Sequence, residues 1–254
     1  MRPLRVMLPV LSLLLVLPLH AQDLATTCHV SSSYDLTVVP AYLLFDRASP
    51  APQRVRLQDG VLRVDGRTVP LSAGERVRLA RFERLLRALV PRVKAVADHG
   101  VDVAVQTVRS QAASLGLDTA TRVELDQRLA ADAVSLKQRI AASYSTHDWH
   151  GAVAEQYEQE LASDIVPLIV ADLGRQALTA AMGGDLQRAA ELRDRAAALA
   201  TDGPALLRQR MNVLRPQVAA LCPDIRQLAT LQQGLPAGDG RMLDLLQVTD
   251  AGAP

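Results

Sequence analysis

The stretch RVRLQDGVLRVDGRTVPLSAGERVRLARFERLLRALV, residues 54–90, changes rhythm once, around Pro70-Leu71-Ser72, and that change sets the fold class. Before it, apolar and polar residues alternate through Val55–Leu57, Val61–Val64 and Thr68–Leu71, the period of a half-buried strand. Asp59-Gly60 and Asp65-Gly66 stand between these runs. Asp-Gly suits the positive φ angles of two-residue hairpin turns, so the spacing predicts a small antiparallel meander. After the change, Ser72 and Glu75 have the spacing of a capping box, in which each side chain bonds the other residue's backbone amide. Phe82, Leu86, Leu89, Val93 and Val96 then step by three or four residues, which is one face of a helix.

Working outward, YDLTVVPAYLLFD (residues 34–46) is rich in β-branched and alternating apolar residues, and RASPAP (47–52) reads as a proline-bearing loop. A meander this small does not stand alone, so it is expected to pack on the helices that follow. Pro91 is expected to kink or split the first helix near Val90, and His99-Gly100 to end it. A second helix is expected over Val101 to Leu115. Asp118 or Thr121 caps a third, with Val123, Leu125, Leu129, Ala133, Leu136, Ile140 and Tyr144 in step. A fourth runs from about Ala152 to Met182, bent at Pro167. A fifth, from Asp185, stops near Ala200 ahead of Thr201-Asp202-Gly203-Pro204; a sixth reaches about Leu221, kinked near Pro216. The expected class is α+β: an N-terminal antiparallel β-meander packed on a mostly α-helical bundle of long kinked helices. Its expected parts are a leader (1–21), the β-meander segment (22–71), a helical domain packed with it (72–231) and a C-terminal tail (232–254), flexible apart from Met242 to Val248.

The leader follows from Arg2 and Arg5 ahead of an apolar run, Val6 to Leu19, which is too short to span a bilayer. Small Ala21 marks the expected cleavage site. Cys28 follows Ala25-Thr26-Thr27, well beyond the apolar run, so it is not the acylated cysteine of a lipoprotein. The chain has 28 basic and 27 acidic residues. Without residues 1–21, which hold two arginines and no acid, the net charge is −1. Such a balance, with the signs interspersed, gives no reason to expect nucleic-acid binding. No later segment has eighteen uninterrupted apolar residues, so no transmembrane segment is expected in the mature chain. Aromatic residues make up only 3% of the chain, so the core must be built from Leu, Val and Ala. The two cysteines, Cys28 and Cys222, are an even count in an exported chain, which favours one disulfide; there is no Cys-x-x-Cys to suggest a redox role.

At the hairpins and the helix behind them, the sequence LQDGVLRVDGRTVPLSAGERVRLARFERLLRALVPRVKAVA, with an early and a late cysteine and AMGG after the fourth helix, resembles the YggN-like family of proteobacterial periplasmic proteins. These carry a domain of unknown function. The resemblance covers most of the mature chain, implies periplasmic residence and the same Cys28–Cys222 bridge, and offers no catalytic residues to carry over.

Chemistry-bearing patterns are sparse. No P-loop, Rossmann glycine pattern or Gly-x-Ser-x-Gly elbow occurs, and no cofactor is expected. The densest polar cluster is STHDWHGAVAEQYEQE (145–160), where a helix running through would let His147 and His150 face one metal ion with Glu155 nearby. The zinc motif His-Glu-x-x-His is absent, so these are weak ligand candidates, and the plainer reading is a polar loop anchored by Trp149. Two function classes follow: a non-catalytic binding or structural envelope protein acting through helical surfaces, or a metal-assisted hydrolase using the His147/His150 region. The first is preferred. Its expected partners are an envelope protein or a second copy of the chain. In DIVPLIVADL (164–173), apolar residues cover more than one helical face, so the helix is either enclosed or presents Val166 and Ile169 to a partner.

Overall fold

The computed structural model describes residues 26–238 and 240–249; the leader and its cleavage after Ala21 lie outside the described residues. The described chain divides into two compact units. One, the sheet unit, contains residues 26–100, 136–156 and 213–249; the other, the helical unit, contains 101–135 and 157–212.

The sheet unit begins with a short strand β1 (Val30–Ser31), then β2 (Asp35–Val39), β3 (Tyr42–Asp46), β4 (Arg54–Gln58), β5 (Val61–Val64) and β6 (Arg67–Val69). Strands β2 to β6 form one antiparallel meander in sequence order. Asp59-Gly60 and Asp65-Gly66 are its two-residue turns, with all four φ angles positive, and the registers Gln58↔Val61 and Val64↔Arg67 close directly across them. The sheet exceeds the three predicted runs because YDLTVVPAYLLFD folds into its own hairpin, Val39 pairing with Tyr42. The last strand stops at Val69, ahead of Pro70, which has no N–H to continue the ladder. Alternation places Leu43, Phe45, Val55, Leu57, Leu62, Val64 and Val69 on one buried face.

Helix α1 (Ala73–Leu115) opens with the predicted capping box: Glu75 N–H donates to Ser72 Oγ, and Ser72 N–H to Glu75. Its residues Leu79, Phe82, Leu86 and Leu89 cover the apolar sheet face together with Ile225, Leu228 and Leu231. The latter three belong to α6 (Cys222–Gln232). Glu83 of α1 turns inward as well. Its two carboxylate oxygens accept hydrogen bonds from the backbone N–H groups of Asp59 (3.1 Å) and Gly60 (3.0 Å), fastening the β4–β5 turn to the helix. Cys28 and Cys222 are joined in a buried disulfide.

The predicted break in the first helix does not occur. Helix α1 is continuous through Pro91, His99 and Gly100, ending only at Gly116 in the left-handed region (φ 72°). Pro91 lies on the exposed side, where water can satisfy the carbonyl its ring leaves unpaired, and one interior glycine costs about 1 kcal/mol. Downstream, α3 (Gly151–Met182) continues through the expected bend site at Pro167, and α4 (Leu186–Met211) runs through Gly203-Pro204 rather than stopping at Ala200. Helix α2 (Thr119–Ala142) lies between α1 and α3, and α5 (Arg215–Ala219) and α6 follow α4.

Residues 235–238 and 240–249 are also not a loose tail. Leu235, Leu243 and Leu245 are buried in the sheet unit, and β7 (Gln247–Val248) pairs antiparallel with β1. Buried Gln232 holds the chain there, its Oε1 accepting from the N–H groups of Leu245 and Leu246 at 3.0 Å each. Leu243 and Leu245 fall in the Met242–Val248 stretch expected to be ordered, whereas Leu235 lies among the Gly, Pro and Asp that suggested a loose chain. Residues 250–254 lie outside the described residues.

The core of the helical unit joins Ala112, Leu115, Leu117, Leu125, Leu129, Ile169, Leu173 and Leu192. Asp118, rather than Thr121, caps α2 by accepting from the Thr121 N–H at 2.6 Å. Fully buried Asp172 accepts from the Asp118 N–H, Arg175 and Gln176. Every acceptor bond of this buried carboxylate stays within the unit, which is what makes its burial tolerable.

Candidate functional site

Strand β2 is an edge strand of the five-stranded sheet, and an uncovered edge presents unpaired backbone groups. Here residues 144–146 lie along it. Val38 N–H donates to Tyr144 O (2.7 Å), Leu36 N–H donates to Thr146 Oγ1 (2.9 Å), and Thr37 and Ser145 form an antiparallel bridge. The chain then enters a 3₁₀ turn, Thr146–Trp149, capped by Ser145 and Asp148 in a reciprocal box. This turn, not an α-helix, carries His147, and His150 is the extended residue that caps its C-terminal end. A 3₁₀ turn has about three residues per revolution, so residues i and i+3 fall on the same side. His147 and His150 do so, their rings 5.4 Å apart.

Both histidines face Asp35 at the head of β2. His150 Nε2 lies 2.5 Å from Asp35 Oδ1, and His147 Nδ1 lies 3.5 Å from Oδ2. The Thr146 hydroxyl donates to Asp35 Oδ1 at 2.8 Å. Partial burial pushes the Asp35 carboxyl upward, but hydrogen bonds from His150 and Thr146 and the nearby imidazoles outweigh it and hold the group below its ordinary value. One ligand atom from each of Asp35, His147 and His150 lies within 4.8 Å of the other two. Two imidazole nitrogens and a carboxylate oxygen are a set that a divalent cation accepts.

The expected carboxylate was Glu155. That residue lies in the first turns of α3, and its side chain lies outside the described residues. Among the described residues the carboxylate facing both histidines is Asp35, more than a hundred residues away in sequence; a lone acid at the head of a strand was its only local sign. Trp149 does not anchor the turn from within, being only half-buried.

The other candidate was the apolar face of α3. Ile169 is 3% exposed and packs in the helical core, so it is not a surface residue of this chain, while Val166 is half-buried. The helix is not enclosed either: Val170 (46% exposed) and Leu178 (62%) face outward. By length and composition alone, Gln159–Met182 is apolar enough to cross a membrane.

A family model described as a protein of unknown function (DUF2884) matches residues 28–238, from the first cysteine to beyond α6. No curated protein and no solved structure matches the chain.

Proposed function

The chain belongs to the DUF2884 family of proteins of unknown function, and we propose that it is an exported, periplasmic, non-catalytic protein that binds a protein partner through the outward face of α3. The observation that carries this reading is the open apolar side of that helix at Val170 and Leu178. A patch of this kind on a folded chain costs solubility unless something covers it. Asp164, Asp172 and Arg175 lie within the same stretch, and charges are expensive in hydrocarbon, which favours a protein over lipid as the covering surface. The Arg-led apolar leader, the disulfide and the resemblance to YggN-like periplasmic proteins support export to an oxidising compartment.

A photo-crosslinking residue placed at Leu178 and, separately, at exposed Val134 tests the reading in cells. The expected result is a discrete adduct from position 178, identified by mass spectrometry, that is abolished by Val170→Asp. Absence of any adduct from position 178, with a monomer in sedimentation, refutes it. Recovery of the chain from the cytoplasm with residues 1–21 still attached refutes the location.

A further inference from the structure

We propose that Asp35, His147 and His150 bind one divalent first-row transition-metal ion of the zinc, nickel or copper type, which clips the 144–150 segment to the edge of the sheet. The donor set comes first. Imidazole nitrogen is a borderline ligand that suits these ions, whereas calcium and magnesium require oxygen cages that this site does not offer. Zinc–ligand bonds of about 2.0–2.2 Å in tetrahedral geometry place neighbouring donor atoms about 3.3–3.5 Å apart. The His147 Nδ1 to Asp35 Oδ2 distance is already 3.5 Å. The His150 Nε2 faces the other carboxylate oxygen, Oδ1, at 2.5 Å and has to draw back by about 1 Å to reach that spacing.

The supporting bonds are those a ligand set needs. Thr146 Oγ1 donates to Asp35 Oδ1 while accepting from the Leu36 N–H, so the carboxylate is oriented by a hydroxyl that is itself fixed to the strand. The Ser145 hydroxyl accepts from the His147 N–H and from Thr37 Oγ1, which sets the start of the turn against β2. Outer bonds of this kind orient metal ligands and tune affinity. The proton balance is simple. Coordination through His150 Nε2 moves that nitrogen's proton to Nδ1 of the same ring, and the metal replaces the hydrogen bond to Asp35. His147 coordinates through Nδ1 and keeps its proton on Nε2. Three protein ligands leave at least one position to water on the exposed side.

The test uses the untagged, oxidised full mature chain, stripped with chelator and titrated with zinc chloride and cobalt chloride, with calcium chloride as the control. The expected result is one zinc per chain, a cobalt complex with visible absorption that zinc displaces, and no calcium binding. His147→Ala, His150→Ala and Asp35→Asn should each weaken zinc binding at least tenfold with unchanged circular dichroism, and Thr146→Ala by about tenfold. Should a variant fail to fold, the wild-type chain still decides: zinc should shift the imidazole proton resonances of His147 and His150 and leave those of His29 and His99 in place. Zinc binding that survives the three ligand variants, zinc shifts confined to His29 or His99, or no stoichiometric zinc binding overturns the proposal.

Discussion

Removing the Glu83 carboxylate tests how the sheet is joined to its covering helix. Glu83 is 6% exposed and accepts from two turn amides, Asp59 and Gly60. Water has no room to replace it at Gly60, which is buried and so close to α1 that a Cβ there would lie 3.1 Å from the Arg76 carbonyl oxygen. In Glu83→Ala the Gly60 N–H is therefore left unsatisfied, at about 1–3 kcal/mol. The Asp59 N–H lies at an exposed residue and recovers water, losing about 1 kcal/mol. The sum is about 2–4 kcal/mol, a fall in Tm of roughly 4–16 °C for a chain of this size. Glu83→Gln keeps one acceptor oxygen and should cost about half as much. Thermal and urea unfolding followed by circular dichroism give the global effect; hydrogen exchange at the Gly60 amide gives the local one, faster in Ala than in Gln. A Glu83→Ala variant melting within 1 °C of wild type, with Gly60 exchange unchanged, would refute the bridge.

Replacing both Cys28 and Cys222 by Ala removes a crosslink between residues 194 apart. Loop-closure entropy sets the loss at up to about 5 kcal/mol, read as a lowered urea midpoint; an unchanged midpoint would sink the entropic account. The Asp118 carboxyl is held below the usual carboxylate range, first by the hydrogen bond from the Thr121 amide and then by its bonds with neighbouring side chains. A depressed folded value stabilises above the unfolded pKa and is lost as pH falls through the folded one. The stability gap between wild type and Asp118→Asn should therefore be widest at pH 6 and shrink below about pH 4; melts that run parallel from pH 6 to 2 contradict it. Ile169→Asp buries an unpaired charge and should cost several kcal/mol, whereas exposed Leu178→Asp should shift stability by less than about 0.5 kcal/mol. Equal melting temperatures for the two variants would show that the face has been assigned wrongly.

What the chain disclosed in advance was its local chemistry. Asp59-Gly60 and Asp65-Gly66 demand positive φ, and Ser72 and Glu75 bond each other across one helical turn, so their neighbours in sequence suffice to read them. Pro91 misled because a proline's effect depends on its surroundings as well as its ring: on an exposed face the freed carbonyl finds water and the helix continues. Glu83 reads in the sequence as one more charge on an amphipathic helix; only the turn packed above it shows otherwise. The His147/His150 pair was visible from its spacing, but the 3₁₀ geometry that aligns it and the Asp35 that faces it depend on strand and turn meeting across the whole chain.

That meeting has a consequence for how the polypeptide is made. A chain emerges N-terminus first, at about 5–20 residues per second. Cys28 must wait for Cys222, and Val30 for Val248, so roughly 10–40 s separate the appearance of the partners. Throughout that interval the apolar face of Leu43, Phe45, Val55 and Leu57 lacks α6 and the residues around Leu243 and Leu245 that complete its cover. The hairpin turns are local in sequence, but the unit they belong to closes only when the last strand arrives. A nascent chain stalled before residue 222 would present a half-built sheet, which makes it a client for a holdase, and its maturation a late, single event rather than a gradual one.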